Sequence, residues 1–252
     1  MSTLPYTVSR FETTVEEDVT YAVSTGFRTE APVGNPWATF RLILHQGKPK
    51  PLSLKMDIYR PEGDGDASRP LLLMMHGGSF FIGNKREAGQ TGWCRYFASL
   101  GYVAVSIDYR LGFRPTRKDV GAAEFRALED AENALAFLLG REDLGIDPGR
   151  IFIAGTSAGA ITALHLAFDM DPKFPVRAVA NLWGSVHDLS VLERAAVESG
   201  VFLHDLVLCG ASMGAYTACS GAAVRPYRSF CSSPAMLPVL MKFFTIRSSR
   251  DW

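Results

Sequence analysis

The segment around Ser157 has the residue types of a nucleophile held on a tight turn. Gly155, Ser157 and Gly159 form a G-x-S-x-G pattern, with an apolar stretch before it and an Ala- and Leu-rich stretch after it. A strand-to-helix turn at this point would strain the serine backbone, and glycine on either side avoids collisions with neighbouring backbone. The first amides of the following helix would favour developing negative charge. The pattern predicts a reactive serine, although a glycine-rich turn of any α/β protein has the same residue types.

A second glycine-containing segment, His76-Gly77-Gly78, follows the apolar run 71–75. Consecutive glycines let backbone N–H groups approach an oxyanion without obstruction by Cβ atoms. We expect the amides of Gly77 and Gly78, together with that of Ala158, to form an oxyanion hole, in which one donor is typically worth about 2.7–4 kcal/mol of transition-state stabilisation. His76 is expected to brace this loop through a side-chain hydrogen bond rather than to act as a base. The alternative is a turn without a catalytic function.

Strand and helix patterns alternate around these two motifs. Helical spacing of apolar residues favours helices over 89–100, 122–139 and 158–169. Alternating or continuous apolar runs predict strands over 16–24, 37–45, 52–60, 71–75, 102–108, 150–154 and 176–183. We therefore predict an α/β fold, with a mostly parallel, mixed sheet that has helices on both faces and an antiparallel start.

Length and composition exclude several classes of function. The chain has 252 residues with 47% apolar residues, and 26 Lys and Arg balance 26 Asp and Glu. We expect one domain over 1–252, without nucleic-acid binding, because there is no basic excess. No apolar run is long enough to span a membrane, and the first residues lack a secretory signal, so we expect a cytoplasmic protein. The four cysteines form no C-x-x-C pair, so we expect neither a metal site nor disulfides.

The two motifs and their surroundings resemble the α/β-hydrolase superfamily, in particular the carboxylesterases, the hormone-sensitive-lipase-like esterases and the feruloyl or acetyl-xylan esterases. The pieces that carry the resemblance are 54–61, 76–83, 106–111, 127–139, 145–148 and 150–159. The resemblance covers roughly 15–190. It implies an α/β-hydrolase fold and ester hydrolysis through an acyl-enzyme, with no cofactor. It also implies that Asp108, Arg110 and Asp130 are structural, tying the sheet to a helix.

A catalytic base and acid are harder to place than the serine. The family order is serine, then acid, then histidine, and the only combination that keeps it is Ser157, Asp188 and His204, with Glu193 or Glu198 as other acids. Their spacing is much tighter than in the family. His165 is expected to be a helix residue rather than the base.

Residues 200–252 differ in composition from the rest of the chain. They hold three cysteines, several serines and no glutamate, and they lack clear periodicity apart from a possible strand over 202–208 and an apolar stretch over 237–246. We expect this tail to be foreign to the fold, as in a truncated, alternatively spliced or frameshifted C-terminus. The C-terminal part of the fold is then expected to be incomplete.

The leading prediction is a serine carboxylester hydrolase that acts on a small or carbohydrate-linked ester, with Phe80, Phe81 and Gly83 shaping the acyl pocket. The expected partner is a small-molecule ester, and no oligomeric state is predicted. An alternative is a catalytically degenerate protein of the same fold that binds a ligand or partner. A serine peptidase on this fold is a third possibility.

Overall fold

The computed structural model describes most of the chain up to residue 184 and two later strands. The described residues are 8–31, 35–63, 65–114, 120–168 and 174–184, together with the backbone of 206–210 and 228–231. No helix among them is both long and apolar enough to cross a membrane.

The described residues form one mixed sheet with helices beside it. Its strands are β1 (Thr13–Gly26), β2 (Lys50–Pro61), β3 (Arg69–Met75), β4 (Val103–Ile107), β5 (Ile146–Thr156), β6 (Val176–Leu182), β7 (Leu206–Gly210) and β8 (Arg228–Cys231). The helices are α1 (Pro36–Leu44), α2 (Ala88–Ser99), α3 (Val120–Leu139) and α4 (Ala158–Phe168).

The sheet has the strand order β1-β2-β4-β3-β5-β6-β7-β8. β2 pairs antiparallel with both β1 and β4, and every other pairing is parallel. The expected mixed, mostly parallel sheet with an antiparallel start is therefore confirmed. Because β3 and β5 are parallel neighbours, their carboxyl ends lie at the same edge of the sheet.

Both faces of the central strands are covered, which explains their continuous apolar runs. Leu71, Leu73 and Met75 of β3 point to a core that includes residues of α3 and α4. Leu72 and Met74 point to the opposite face and pack with residues of α2. Helices on both faces of the sheet, as predicted, are thus confirmed.

The strand predicted over 37–45 is wrong, because the segment forms α1. Asn35 caps this helix, with its Oδ1 atom accepting a hydrogen bond from the Ala38 N–H at 3.0 Å, and Pro36 is the first helical residue. An asparagine cap followed by proline is a strong helix start and overrides a short alternating apolar pattern.

Helix α3 buries only some of its large apolar residues. Leu135 and Leu138 are buried, whereas Phe125 is 67% exposed. The buried face consists largely of alanines and includes Asp130, which is fully buried. Small side chains let the helix approach the sheet closely, and the buried carboxylate is tolerated because Arg110 pairs with it.

The C-terminal region contributes backbone to the sheet. β7 continues the parallel order next to β6, and β8 pairs with β7. The strand predicted over 202–208 partly overlaps β7. The remaining residues of 200–252 lie outside the described residues, so the incomplete C-terminal part stays a prediction.

Candidate active site

Ser157 is the single residue that connects the end of β5 to the first residue of α4. Its φ of 50° is in the left-handed region, which is strained for a residue with a side chain. The Ser157 N–H donates a hydrogen bond to the carbonyl oxygen of Leu182 at 2.9 Å, so the turn is tied to the end of β6. The Ser157 carbonyl accepts bonds from the N–H groups of Ala160 and Ile161 at 3.0 and 3.1 Å, which starts the helix.

The two glycines that flank the serine are required by close backbone contacts. A Cβ atom on Gly155 would lie 2.2 Å from the carbonyl carbon of Gly159. A Cβ atom on Gly159 would lie 2.2 Å from the carbonyl oxygen of Met75, at the end of β3. Real Cβ atoms do not approach other atoms so closely, so the collisions expected from the G-x-S-x-G pattern are confirmed.

The loop after β3 lies directly against the serine turn. A Cβ atom on Gly77 would be 3.1 Å from the Thr156 carbonyl oxygen and 3.3 Å from Cβ of Ser157. Gly78 has a φ of 110°, and a Cβ atom there would lie 1.9 Å from the carbonyl oxygen of Ile82. The predicted proximity of the two glycine-containing segments is therefore present in the fold.

His76 stabilises this loop through ring stacking and hydrogen bonds. Its ring is fully buried and stacks on the ring of Tyr109 with the centroids 4.4 Å apart. Nδ1–H donates a hydrogen bond to the Gly77 carbonyl oxygen at 2.7 Å, and the Tyr109 hydroxyl donates to the His76 carbonyl oxygen at 2.7 Å. Burial lowers the pKa of His76 to about 4, because desolvation disfavours the charged ring. The expected bracing hydrogen bond is thus made by a neutral imidazole.

The far end of the loop is anchored by the buried ammonium group of Lys85. A Cβ atom on Gly83 would lie 2.4 Å from Nδ1 of His76, so the chain returns tightly over the ring. The Nζ atom of Lys85 then contacts Asp18 at 2.9 Å, Asp108 at 3.1 Å and Asp57 at 3.7 Å. These carboxylates belong to β1, to the segment after β4 and to β2. The loop is therefore fixed to the antiparallel side of the sheet.

Ser157 and the two loop glycines open into one cavity of about 330 Å³. Most of its side chains are apolar or aromatic, and three come from the first turns of α2. It is lined by Met74, Gly77, Gly78, Ile82, Glu87, Gly89, Gln90, Trp93, Thr156, Ser157, Leu182 and Trp183. A partly open, mostly apolar space beside a serine can hold a small organic substrate.

Two aromatic residues predicted to shape this pocket lie elsewhere. Phe80 and Phe81 are 3% and 6% exposed and do not line the cavity. Phe80 packs edge-on against Tyr109, and Phe81 packs against Phe113. Both have been drawn into the core by the left-handed turn that begins at Gly78, and Gly83 lies against His76 instead of the cavity.

Comparison with known proteins finds similarity to esterases. A family model described as BD-FAE matches residues 56–175. Esterase-5C of Drosophila miranda is 30% identical over 162 residues, or 62% of this chain, and the probable carboxylic ester hydrolase LipM of Mycobacterium tuberculosis is 33% identical over 152 residues, or 56% of this chain. The matches cover 29% and 33% of those two relatives, so the chain spans about a third of their length.

Solved structures share the architecture at low sequence identity. A phosphonate-inhibited esterase B from Lactobacillus rhamnosis has a TM-score of 0.57 and 16% identity, covering 96% of this chain and 89% of that one. Brefeldin A esterase, a bacterial homologue of human hormone-sensitive lipase, has a TM-score of 0.55 and 16% identity, covering 95% of this chain and 78% of its own. The chain has the α/β-hydrolase fold. The predicted resemblance to carboxylesterases and hormone-sensitive-lipase-like esterases is confirmed.

The remaining predicted residues are divided between described and undescribed parts of the chain. Asp188 and His204, like the other acids Glu193 and Glu198, lie outside the described residues. His165 is exposed on α4, as expected of a helix residue. Within the part of the chain that the structure describes, no group of histidine, cysteine and acidic side chains could hold a metal ion.

Three cavity residues were not predicted from the sequence. Glu87 precedes α2 as its N-cap residue, Gln90 lies in the first turn of that helix, and Trp183 follows β6 with a φ of 50°. Trp183 is held in place by its neighbours, since the Asn181 side chain accepts a hydrogen bond from the Gly184 N–H at 2.7 Å. No short motif marks such residues, and the one available signal was their position just after a loop or strand that ends at the sheet edge.

Proposed function

We propose that this α/β-hydrolase is a serine carboxylester hydrolase that forms an acyl-enzyme on Ser157. One observation carries the proposal: the strained serine turn and the backbone of Gly77 touch each other at the mouth of one cavity. A nucleophile and a set of backbone donors must lie about one carbonyl group apart to act on the same ester. The esterase relatives support the same class of reaction.

In the acylation step, the Ser157 hydroxyl oxygen attacks the ester carbonyl carbon and a tetrahedral oxyanion forms. The N–H groups of Gly77, Gly78 and Ala158 are the proposed donors to that oxyanion. The Ser157 N–H is not among them, because it is bonded to Leu182. Ala158 qualifies because the first N–H groups of a helix have no acceptor within it.

The proton of Ser157 passes to a base and then to the departing alcohol oxygen as the ester C–O bond breaks. Water attacks the acyl-enzyme in the second step, which releases the acid and restores the serine hydroxyl. His204 is the proposed base, and Asp188 is the proposed group that orients it, as the family order requires. The substrate is a small or carbohydrate-linked ester.

The test is covalent labelling of the folded protein with an organophosphonate, followed by hydrolysis of p-nitrophenyl acetate. We expect one label per chain on Ser157 and a loss of roughly 10⁶-fold in turnover in Ser157→Ala, the typical effect of removing a triad nucleophile. Ser99→Ala is the matched control, since Ser99 bonds to the Tyr96 carbonyl oxygen on α2 and does not line the cavity. Equal rates in Ser157→Ala and the wild type would remove the enzymatic proposal.

A second candidate is a catalytically degenerate α/β-hydrolase that binds a small ligand in the same cavity. The atypical composition of 200–252, which contains the proposed histidine, favours it. Under this alternative, we expect a folded protein that is neither labelled at Ser157 nor active on the ester. Stoichiometric labelling together with turnover would exclude it.

A further inference from the structure

Gln90 is the third residue of α2 and lines the cavity that Ser157 opens into. It is 3% exposed, and neither its Nε2 nor its Oε1 atom has a hydrogen-bond partner among the described residues. Asn181, a buried amide on the neighbouring β6, behaves differently, because it bonds to the backbone of Gly184 through both side-chain atoms. The missing hydrogen bonds are therefore particular to Gln90 and are not shared by the buried amide of Asn181.

An unpaired buried amide destabilises the protein unless something bound beside it supplies the missing hydrogen bonds. Met74 and Leu182, which line the same cavity, are apolar and cannot supply these hydrogen bonds. A ligand bound in the cavity would supply them. Since an amide has both N–H donors and a carbonyl acceptor, its best match is a group that donates and accepts at once.

A hydroxyl group has this property, and a second polar residue points to the same chemistry. Glu87 also lines the cavity and is the N-cap residue of α2, three positions before Gln90. Burial raises the pKa of the Glu87 carboxyl. Carboxyl oxygens accept hydrogen bonds from hydroxyl groups, so the N-terminal end of α2 contributes two side chains suited to an alcohol to an otherwise mainly apolar space.

We propose that Gln90 is a specificity-determining residue that binds a hydroxyl group on the ester, so that the preferred substrates are hydroxylated esters and not plain alkyl esters. Because it concerns the same cavity, this role rests on the proposed ester hydrolysis. A site built to pair with a hydroxyl discriminates strongly against the analogue that lacks it, since the polar group of the protein is then left unpaired.

The direct experiment measures binding and does not require turnover. In the Ser157→Ala background, tryptophan fluorescence, with Trp93 and Trp183 in the cavity wall, reports the Kd for two matched pairs of esters. The pairs are butyl acetate with 4-hydroxybutyl acetate, and ethyl butyrate with ethyl 3-hydroxybutyrate. We expect the hydroxylated member of at least one pair to bind about tenfold more tightly or better, and the pair that responds tells whether the alcohol or the acyl side faces Gln90.

The Gln90→Leu variant should abolish this preference by removing the amide while keeping the volume of the side chain similar. Thr91→Val is the matched control on α2, because Thr91 does not line the cavity, and it should keep the preference. Gln90→Leu should also raise Tm by about 2–4 °C, since an unpaired buried amide is replaced by an apolar group. Equal Kd values within both pairs, a preference that survives Gln90→Leu, or a lower Tm in that variant would each overturn the role of Gln90.

Failure of the proposed function gives a different result. If the wild type is neither labelled by the phosphonate nor active on any ester, ester hydrolysis is excluded, while the Kd values still decide whether Gln90 selects a hydroxyl group. If the wild type hydrolyses esters but its kcat/KM is the same for p-nitrophenyl butyrate and p-nitrophenyl 3-hydroxybutyrate, and both pairs bind equally, the reaction stands and the role of Gln90 falls.

Discussion

Gly77 and Ser157 are in contact across the edge of the sheet: a Cβ atom at position 77 would lie 3.3 Å from Cβ of Ser157. The two residues follow neighbouring parallel strands, β3 and β5, whose carboxyl ends meet there. Residues 80 positions apart in the sequence are thereby brought to the distance at which one ester carbonyl could touch both. The contact leaves little room, so it can be tested by adding a single methyl group.

Gly77→Ala should impair the reaction more than the fold. The added methyl group requires the Thr156 carbonyl or the Ser157 side chain to move by a few tenths of an ångström, which misaligns donor and nucleophile. We expect the rate of phosphonate labelling to fall about ten- to a hundredfold, because small misplacements of reacting groups are costly. Gly92→Ala on α2 is the control, since nothing lies within 4 Å of a Cβ atom there. An unchanged labelling rate in Gly77→Ala would contradict the proposed oxyanion site.

Gly159→Ala should destabilise the whole protein. Its methyl group would lie 2.2 Å from the Met75 carbonyl oxygen. Neither atom can rotate away, because the backbone fixes the positions of both. We expect a loss of about 3 kcal/mol in the free energy of unfolding, measured by urea denaturation, at the upper end of the usual cost of overpacking. Gly92→Ala, on an exposed helix position, should instead be neutral or stabilising by up to about 1 kcal/mol. Similar stabilities of the two variants would show that the serine turn is looser than described.

His76 should make stability fall as the solution becomes acidic. Its pKa is about 4 in the folded protein and 6.5 in the unfolded chain. The folded state therefore binds fewer protons between these values, and the stabilisation present above pH 6.5 is lost as the pH falls towards 4. A shift of this size corresponds to about 3 kcal/mol at most. The measurement is urea unfolding of the wild type and His76→Asn from pH 7.5 to pH 4.5.

The difference in the free energy of unfolding between the wild type and His76→Asn reports the contribution of the imidazole. Both proteins contain the same carboxylates, so the contributions of those groups cancel in the difference. Asp108 is one of these, since burial raises its pKa to about 6. At pH 7.5 the wild type should be the more stable protein, because the variant loses the stacking on Tyr109. This advantage should shrink as the pH decreases. A difference that stays constant over the range would mean that His76 is not held neutral by burial.

The Arg110–Asp130 pair should be important for stability, whereas the neighbouring Glu129 should not. Asp130 is fully buried and accepts hydrogen bonds from the Arg110 backbone N–H at 2.7 Å and from its Nε at 2.8 Å. Asp130→Ala leaves the guanidinium without its buried partner, and we expect a loss of about 3–5 kcal/mol in the free energy of unfolding. Glu129→Gln is the control, because Glu129 contacts the same guanidinium but its side chain is 48% exposed.

For the control we expect a change of at most about 1 kcal/mol, as is usual for exposed ion pairs. Chemical denaturation at pH 7 compares the two variants. If both lose the same amount of stability, the pair does not tie α3 to the sheet as the geometry indicates.

Local sequence was sufficient for the strand-to-helix turn at Ser157, the loop at Gly77 and the presence of the central strands. These features depend on periodicity and on glycine, whose effects act within a few residues of the chain. The same local signals failed for α1, where an alternating apolar pattern was overridden by the cap at Asn35 and by Pro36. They predicted the helix α3 but not its buried face, because Phe125 is exposed and Asp130 is buried.

Tertiary structure alone decided which side chains face the cavity. Gln90, Glu87 and Trp183 come from two different elements and share no spacing or motif, while Phe80 and Phe81 were turned away by a run of left-handed residues after Gly78. Packing between distant segments determines such orientations, and the buried amide of Gln90 becomes noticeable only once its neighbours are known. The sequence by itself determined which backbone turns this chain makes, because those turns depend on the steric limits of single residues. Only the fold determined what surrounds them, because that depends on contacts between residues far apart in the chain.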